Sequence, residues 1–177
     1  NIPSVHYVAP TVWAWRPKRA DKMAQFIDHV LALFPFEPEL MRQAGMSCDF
    51  VGHPVVTDQI ATDEQAAEFR NRRGIGDAPM ALILPGSRRS EIARLMEPFG
   101  ETMHLVSQSV PDLQFVLPAA PHVVGAVQTA IQHWPVKPIV LDHRELGEAQ
   151  YHIDKRAAFR AADVALAASG TVSLELA

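Results

Sequence analysis

Met80-Ala-Leu-Ile-Leu-Pro-Gly-Ser-Arg-Arg-Ser-Glu91 decides the fold. Met80 to Leu84 is an apolar run without polar alternation, which suits a strand buried on both faces of a parallel sheet. Pro85 and Gly86 end it. A helix follows at once, with Ile92, Leu95, Met96, Phe99, Met103, Val106 and Val110 at helical spacing from Glu91 onward and Pro111 as its stop. Strand, tight turn and helix make one βα unit.

The same punctuation extends in both directions. Val5 to Ala9, Val30 to Phe34, Gln114 to Leu117, Ile139 to Leu141 and Asp163 to Ala168 are predicted as further strands. Glu64 to Arg73, closed by Gly74 as C-cap, His122 to His133 and Lys155 to Ala162 are predicted as helices. This alternation defines an α/β fold with Rossmann-like, doubly wound parallel sheets. It pauses at Gly52-His-Pro-Val-Val-Thr-Asp-Gln-Ile60, which places a linker near residues 53–63. The expected organisation is residues 1–60 as the end of one Rossmann-like domain with its linker, and residues 61–177 as most of a second.

Composition narrows the class. With 48% hydrophobic and 20% charged residues, bulk disorder is excluded. A net charge of -4 argues against a nucleic-acid partner. Cys48 is the one cysteine, so an internal disulfide is excluded and a reducing compartment is expected. No apolar run reaches the length of a membrane span, and the start Asn1-Ile-Pro-Ser4 lacks the features of a secretory signal. The chain has no initiating Met and ends in the helix-like Ser173-Leu-Glu-Leu-Ala177, so an internal piece of a longer protein is expected.

Three stretches could carry chemistry. In Pro85-Gly-Ser-Arg88, glycine lets the backbone approach a ligand, the free N–H groups of the helix start face an anion, and Arg88 offers a bidentate phosphate donor. The alternative is a plain strand-to-helix turn with Ser87 as N-cap. In Asp163-Val-Ala-Leu-Ala-Ala-Ser-Gly-Thr171 a second strand feeds a small-residue turn, Ser169-Gly170-Thr171. Glu175 lies four residues past Thr171, outside capping-box register, and is expected to be free to grip ribose hydroxyls; otherwise it is a solvated surface residue. Both turns would open at the carboxyl edge of one sheet, where open α/β folds bind ligands, so a nucleotide diphosphate between them is the economical reading.

The third stretch, Tyr7-Val-Ala-Pro-Thr-Val-Trp-Ala-Trp-Arg-Pro-Lys-Arg19, sets Trp13 and Trp15 beside Arg16, Lys18 and Arg19. Such a mixture suits an anionic membrane surface or a lipid phosphate; the competing reading is a loop whose Trp rings plug a core. The eight histidines form no metal-binding pattern, and His53 reads as a turn or core residue.

Tyr7 to Arg16, Leu33-Phe-Pro-Phe-Glu37, Phe50-Val-Gly-His-Pro54, Leu84 to Arg88 with Glu91, and Ala168 to Thr171 with Glu175 resemble, in order and across essentially the whole chain, the lipid-A-disaccharide synthase family. The resemblance implies an inverting GT-B glycosyltransferase without a required metal or cofactor. It moves 2,3-diacylglucosamine from UDP to 2,3-diacylglucosamine 1-phosphate, giving the β-1,6 lipid A disaccharide and UDP, peripherally at the cytoplasmic face of the Gram-negative inner membrane. It implies that Gly86, Ser87 and Arg88 face the donor, with Arg88 stabilising the leaving group. Ser169, Gly170 and Thr171 would hold the diphosphate, Glu175 the ribose, and Trp13, Trp15 and Arg16 the lipid side. It also places the general base outside this chain, so the piece alone is expected to be inactive. A non-catalytic UDP-binding module and a related sugar-nucleotide epimerase remain as alternatives, and open sheet edges in such a piece would allow a homodimer.

Overall fold

The computed structural model describes residues 2–168, 170 and 172–176. The chain divides into two compact units, residues 1–58 and residues 59–177, each with its own parallel sheet.

In the first unit, β1 (Val5–Tyr7), β2 (His29–Ala32) and β3 (Ser47–Phe50) lie in that order, with α1 (Lys18–Met23) and α2 (Glu37–Gln43) as the crossovers. Val30 pairs with His6 on one side and Cys48 on the other. The inward residues Val30, Ala32 and Cys48 bury against Ala20, Met41 and Met46. Both expected strands end early for local reasons. β1 stops at Tyr7 because Val8 turns to φ 80°, a region a β-branched residue seldom enters. β2 stops at Ala32 because the next two amides, Leu33 and Phe34, donate to Glu37 Oε2 at 3.1 and 2.9 Å. The sequence reading missed α1, α2 and β3. A 3-10 turn, Pro54–Thr57, closes the unit.

The second unit holds α3 (Asp63–Arg72), β4 (Met80–Leu84), α4 (Arg89–Ser109), β5 (Gln114–Pro118), α5 (Val124–Ile131), β6 (Ile139–Leu141), α6 (His143–Leu146), α7 (Glu148–Ala161), β7 (Val164–Ala167) and α8 (Val172–Leu176). Its strands are all parallel in the order β6-β5-β4-β7, with Ala81 paired to Phe115 and to Val164. Every residue of β4 is buried. Met80, Leu82 and Leu84 pack against Phe69 of α3 and Tyr151, Ala157 and Ala158 of α7. Ala81 and Ile83 pack against Ile92, Met96, Phe99 and Met103 of α4. This is the two-faced burial that an unbroken apolar strand requires.

Helix α3 opens on a capping box between Thr62 and Gln65, and Gly74 beyond its end takes φ 68°. Helix α7 begins seven residues before the expected Lys155, right after Gly147 at φ 77°. Buried Asp154 on α7 takes hydrogen bonds from Arg72 and Arg73 at 2.7 and 2.6 Å, which ties α7 to α3. Residue Arg88, not Ser87, occupies the N-cap position of α4.

Candidate functional site

Counted within the second unit, the strand order is third, second, first, fourth, so the winding direction reverses between β4 and β7. Crevices at such reversals, beyond the carboxyl ends of the strands, are the ligand sites of open α/β sheets. A cavity of about 270 Å³ lies there. Gly86, Ser87, Arg88 and Glu91 line it after β4, Gly170, Val172 and Glu175 line it after β7, and Tyr151, Lys155 and Phe159 line it from α7. The two turns singled out in the sequence therefore share one cavity. Ser169 and Thr171 lie outside the described residues.

Two expectations about this cavity need correction. The Ser87 and Arg88 amides are not free: both donate to Glu91 Oε2 at 3.0 Å. Glu91 Oε1 also accepts from Arg88 Nη1 at 2.9 Å. The Arg88 amide first, and then the Ser87 amide and the Arg88 charge, hold the Glu91 carboxyl below its ordinary pKa against the opposing effect of burial. Gly86 makes this possible. Its φ is 107°, and a Cβ there would sit 2.9 Å from Glu91 Cβ. Nor is Glu175 free, because Lys155 Nζ donates to Glu175 Oε2 at 2.7 Å.

Lys155 is the residue that sequence reasoning missed. It stands twenty residues before Glu175 in an ordinary amphipathic helix, and only the crossover from α7 to β7 brings the two together. Its ammonium also lies 5.3 Å from the Phe159 ring centroid. Arg88 projects into solvent, with a side chain 80% exposed despite its bond to Glu91. The cavity thus holds two cations, Arg88 and Lys155, and two carboxylates, Glu91 and Glu175. Tyr151 is buried, donates its hydroxyl to Ala119 O at 3.0 Å, and has its pKa pushed up by burial.

In the first unit Trp13 and Trp15 are both exposed. Trp13 meets Phe36 edge-on at 5.4 Å, Phe36 stacks on Phe34 at 5.7 Å, and the Arg16 guanidinium sits 4.3 Å over the Trp15 ring. The rings therefore do not plug a core. Arg19 lies elsewhere, in a groove with His6, Val8, Lys22 and Phe26. His53 is a turn residue whose Nδ1 accepts from the Val55 amide at 3.1 Å. Among the described residues no helix is long and apolar enough to cross a membrane.

Parallel sheets, short crossovers and a cavity at the reversal of strand order define the class: α/β proteins of the Rossmann-like kind. Anabaena HepE, solved in complex with UDP and glucose, shares the fold with a TM-score of 0.55 at 13% identity, over 98% of this chain and 50% of that one. The family follows from sequence. A family model described as Lipid-A-disaccharide synthetase matches residues 1–177, and the chain belongs to that family. It is 57% identical over 177 residues to a lipid-A-disaccharide synthase of Ruegeria pomeroyi and 52% identical over 178 residues to one of Rhodospirillum centenum. These matches cover all of this chain but 44% and 42% of those proteins, so it spans less than half the length of the curated relatives it matches.

Proposed function

We propose that the full-length protein is a lipid A glycosyltransferase. It transfers 2,3-diacylglucosamine from UDP to 2,3-diacylglucosamine 1-phosphate, forming the β-1,6 disaccharide and UDP. The observation that carries this reading is the cavity shared by the two turns at the β4/β7 reversal, in a chain matched from end to end by the lipid-A-disaccharide synthetase family.

The donor diphosphate lies in that cavity. Cleaving the sugar–phosphate bond moves negative charge onto the leaving UDP. Arg88 and Lys155 meet that charge; groups already in place need little reorganisation in the transition state. Glu175, held by Lys155, faces the ribose hydroxyls. Gly170 lets the second turn come close to the phosphates, and Ser169 and Thr171 belong to the same assignment by their place in the motif. Because this chain spans less than half the length of the curated relatives it matches, the proposal assigns the general base to the rest of the full-length protein, with UDP binding but no turnover by this chain alone.

The protein is peripheral on the cytoplasmic face of the inner membrane, where its acylated substrates reside. Trp13, Trp15 and Arg16 form the lipid-contacting side, supported by two exposed rings and an adjacent cation. Residues 1–60 then belong to the acceptor-side domain and residues 61–177 to the nucleotide-sugar domain. Calorimetric titration of this chain with UDP and UMP, alongside a transfer assay of the full-length protein, tests the reading. A preference for UDP with disaccharide formation is expected. Equal binding of UDP and UMP, or UDP binding by a full-length protein without transfer, contradicts it.

A further inference from the structure

The Pro-Gly-Ser-Arg turn has a counterpart in the first unit. Following β2, Glu37 Oε2 accepts from the amides of Leu33 and Phe34; following β4, Glu91 Oε2 accepts from the amides of Ser87 and Arg88. In each case a glutamate takes the two amides three and four residues before it. Glu37 is 4% exposed and lines neither of the two cavities described above. Its carboxylate holds a loop. The same geometry after β4 does the same work, and there the loop carries Arg88.

Resting on the functional reading above, we propose that Glu91 is a positioning residue: its carboxylate permanently fills the amide pair after β4 and aims the Arg88 guanidinium at the donor diphosphate. The Ser87 and Arg88 amides are then not phosphate ligands, and Glu91 is not a gate that withdraws when donor arrives. Three donors converge on Glu91: two amides at 3.0 Å and Arg88 Nη1 at 2.9 Å. Releasing it would leave Gly86, at φ 107°, without the carboxylate that its missing side chain makes room for. Glu91 uses one guanidinium nitrogen, Nη1, and leaves the other edge of Arg88 available to a phosphate oxygen. The three converging donors favour the charged form of Glu91, and its pKa is depressed accordingly.

The experiment uses the full-length protein with Glu91→Gln, Glu91→Ala, Arg88→Ala and the Glu91→Gln/Arg88→Ala double variant. Glutamine keeps an acceptor oxygen for the two amides and loses the charge that holds Arg88. Glu91→Gln is expected to lower turnover at saturating donor about tenfold with a smaller change in donor KM, within the range measured for coupled neighbours. In the Arg88→Ala background the same change should cost less than about twofold, because a group acting through Arg88 has nothing left to aim. Equal losses in both backgrounds would show that Glu91 does not act through Arg88. UDP titration supplies a second readout independent of turnover. Weaker or unchanged UDP binding by Glu91→Ala supports positioning, and tighter binding overturns it, since removing a displaceable competitor would raise affinity. Wild type that fails to bind UDP at all sinks the functional reading, and this proposal with it; wild type that binds and turns over while Glu91→Ala binds more tightly sinks this proposal alone.

Discussion

Lys155 and Glu175 form a 2.7 Å ion pair between α7 and α8 on the wall of the cavity, each side chain about one-third exposed. Pairs so accessible to water add about 0–1 kcal/mol to stability, so the value of this one lies in the charge it sets. With Lys155 present, the cavity's two cations balance its two carboxylates; without it, Glu175 is unpaired and the lining turns acidic. Lys155→Met should leave the melting temperature nearly unchanged and weaken UDP binding about tenfold, or about 1.4 kcal/mol. An unchanged dissociation constant in calorimetry would remove Lys155 from the donor site.

Arg88 should separate rate from stability more sharply still. Its side chain is 80% exposed and its ion pair with Glu91 is open to water, so Arg88→Ala should shift stability within about ±0.5 kcal/mol. If it meets leaving-group charge, the same change should cost the full-length protein about 10²–10³ in turnover. Lysine should rescue only partly, since it lacks the planar fork. Turnover near wild type in the alanine variant contradicts the assignment.

Much of the second unit was legible because its signals are local. Met80 to Leu84 is apolar throughout, and the strand it forms is buried on both faces. Pro85-Gly86 marks the turn, and the spacing from Ile92 to Met103 marks the buried stripe of α4. The first unit hid more. Ser47-Cys-Asp-Phe50 has one inward apolar residue, α1 has only six residues, and α2 carries Pro38 in its first turn, so none shows a period long enough to read. The occupants of the cavity's polar groups were the least legible. Glu91 stands at capping-box spacing from Arg88, but with Arg in place of Ser or Thr at the N-cap, and its capture of the Ser87 amide depends on the loop bending back at Gly86; the Lys155–Glu175 pair depends on a crossover that leaves no mark in residue spacing.

Gly100 sits inside α4, where alanine would ordinarily gain about 0.8–1.0 kcal/mol in helix propensity. Here a Cβ would lie 2.6 Å from the indole of Trp134, a ring that is itself buried in the α4/α5 cluster. Overpacking a closed core costs about 1–3 kcal/mol, which outweighs the propensity gain. Gly100→Ala should therefore lower the urea midpoint, and Gly100→Ala with Trp134→Leu should recover part of the loss. A stabilised single variant would mean that the ring moves aside freely.

Exposed Trp13 and Trp15 offer a direct test of the lipid-facing assignment. Full-length protein should sediment with vesicles containing anionic phospholipid, and the Trp13→Ala/Trp15→Ala variant should bind them about tenfold more weakly, because both rings are exposed and Arg16 stacks on Trp15. Binding that is indifferent to the rings would move the membrane contact elsewhere.

Part of the acid sensitivity of the second unit should come from Asp142. Asp142 is 1% exposed at the end of β6. It accepts from Arg144 Nη2 at 2.7 Å and from Gln128 Nε2 at 2.8 Å, and its oxygen caps α6 through the Arg144 amide at 2.9 Å. The Arg144 side chain is the main cause that depresses its pKa from 3.8, with burial opposing. A carboxylate whose folded pKa is depressed binds fewer protons in the native state than in the unfolded one. Its stabilisation is therefore complete above the unfolded value near 3.8 and is lost as pH falls through the lower folded value. Asp163 shifts the same way, chiefly through the Met80 amide, but its side chain is 59% exposed, so salt should screen its share. Urea midpoints between about pH 5 and pH 2.5 should fall steeply in wild type and less steeply in Asp142→Asn, a difference that persists in high salt because the carboxylate is buried. Parallel slopes for the two proteins in that window would show that Asp142 carries no proton-linked stability.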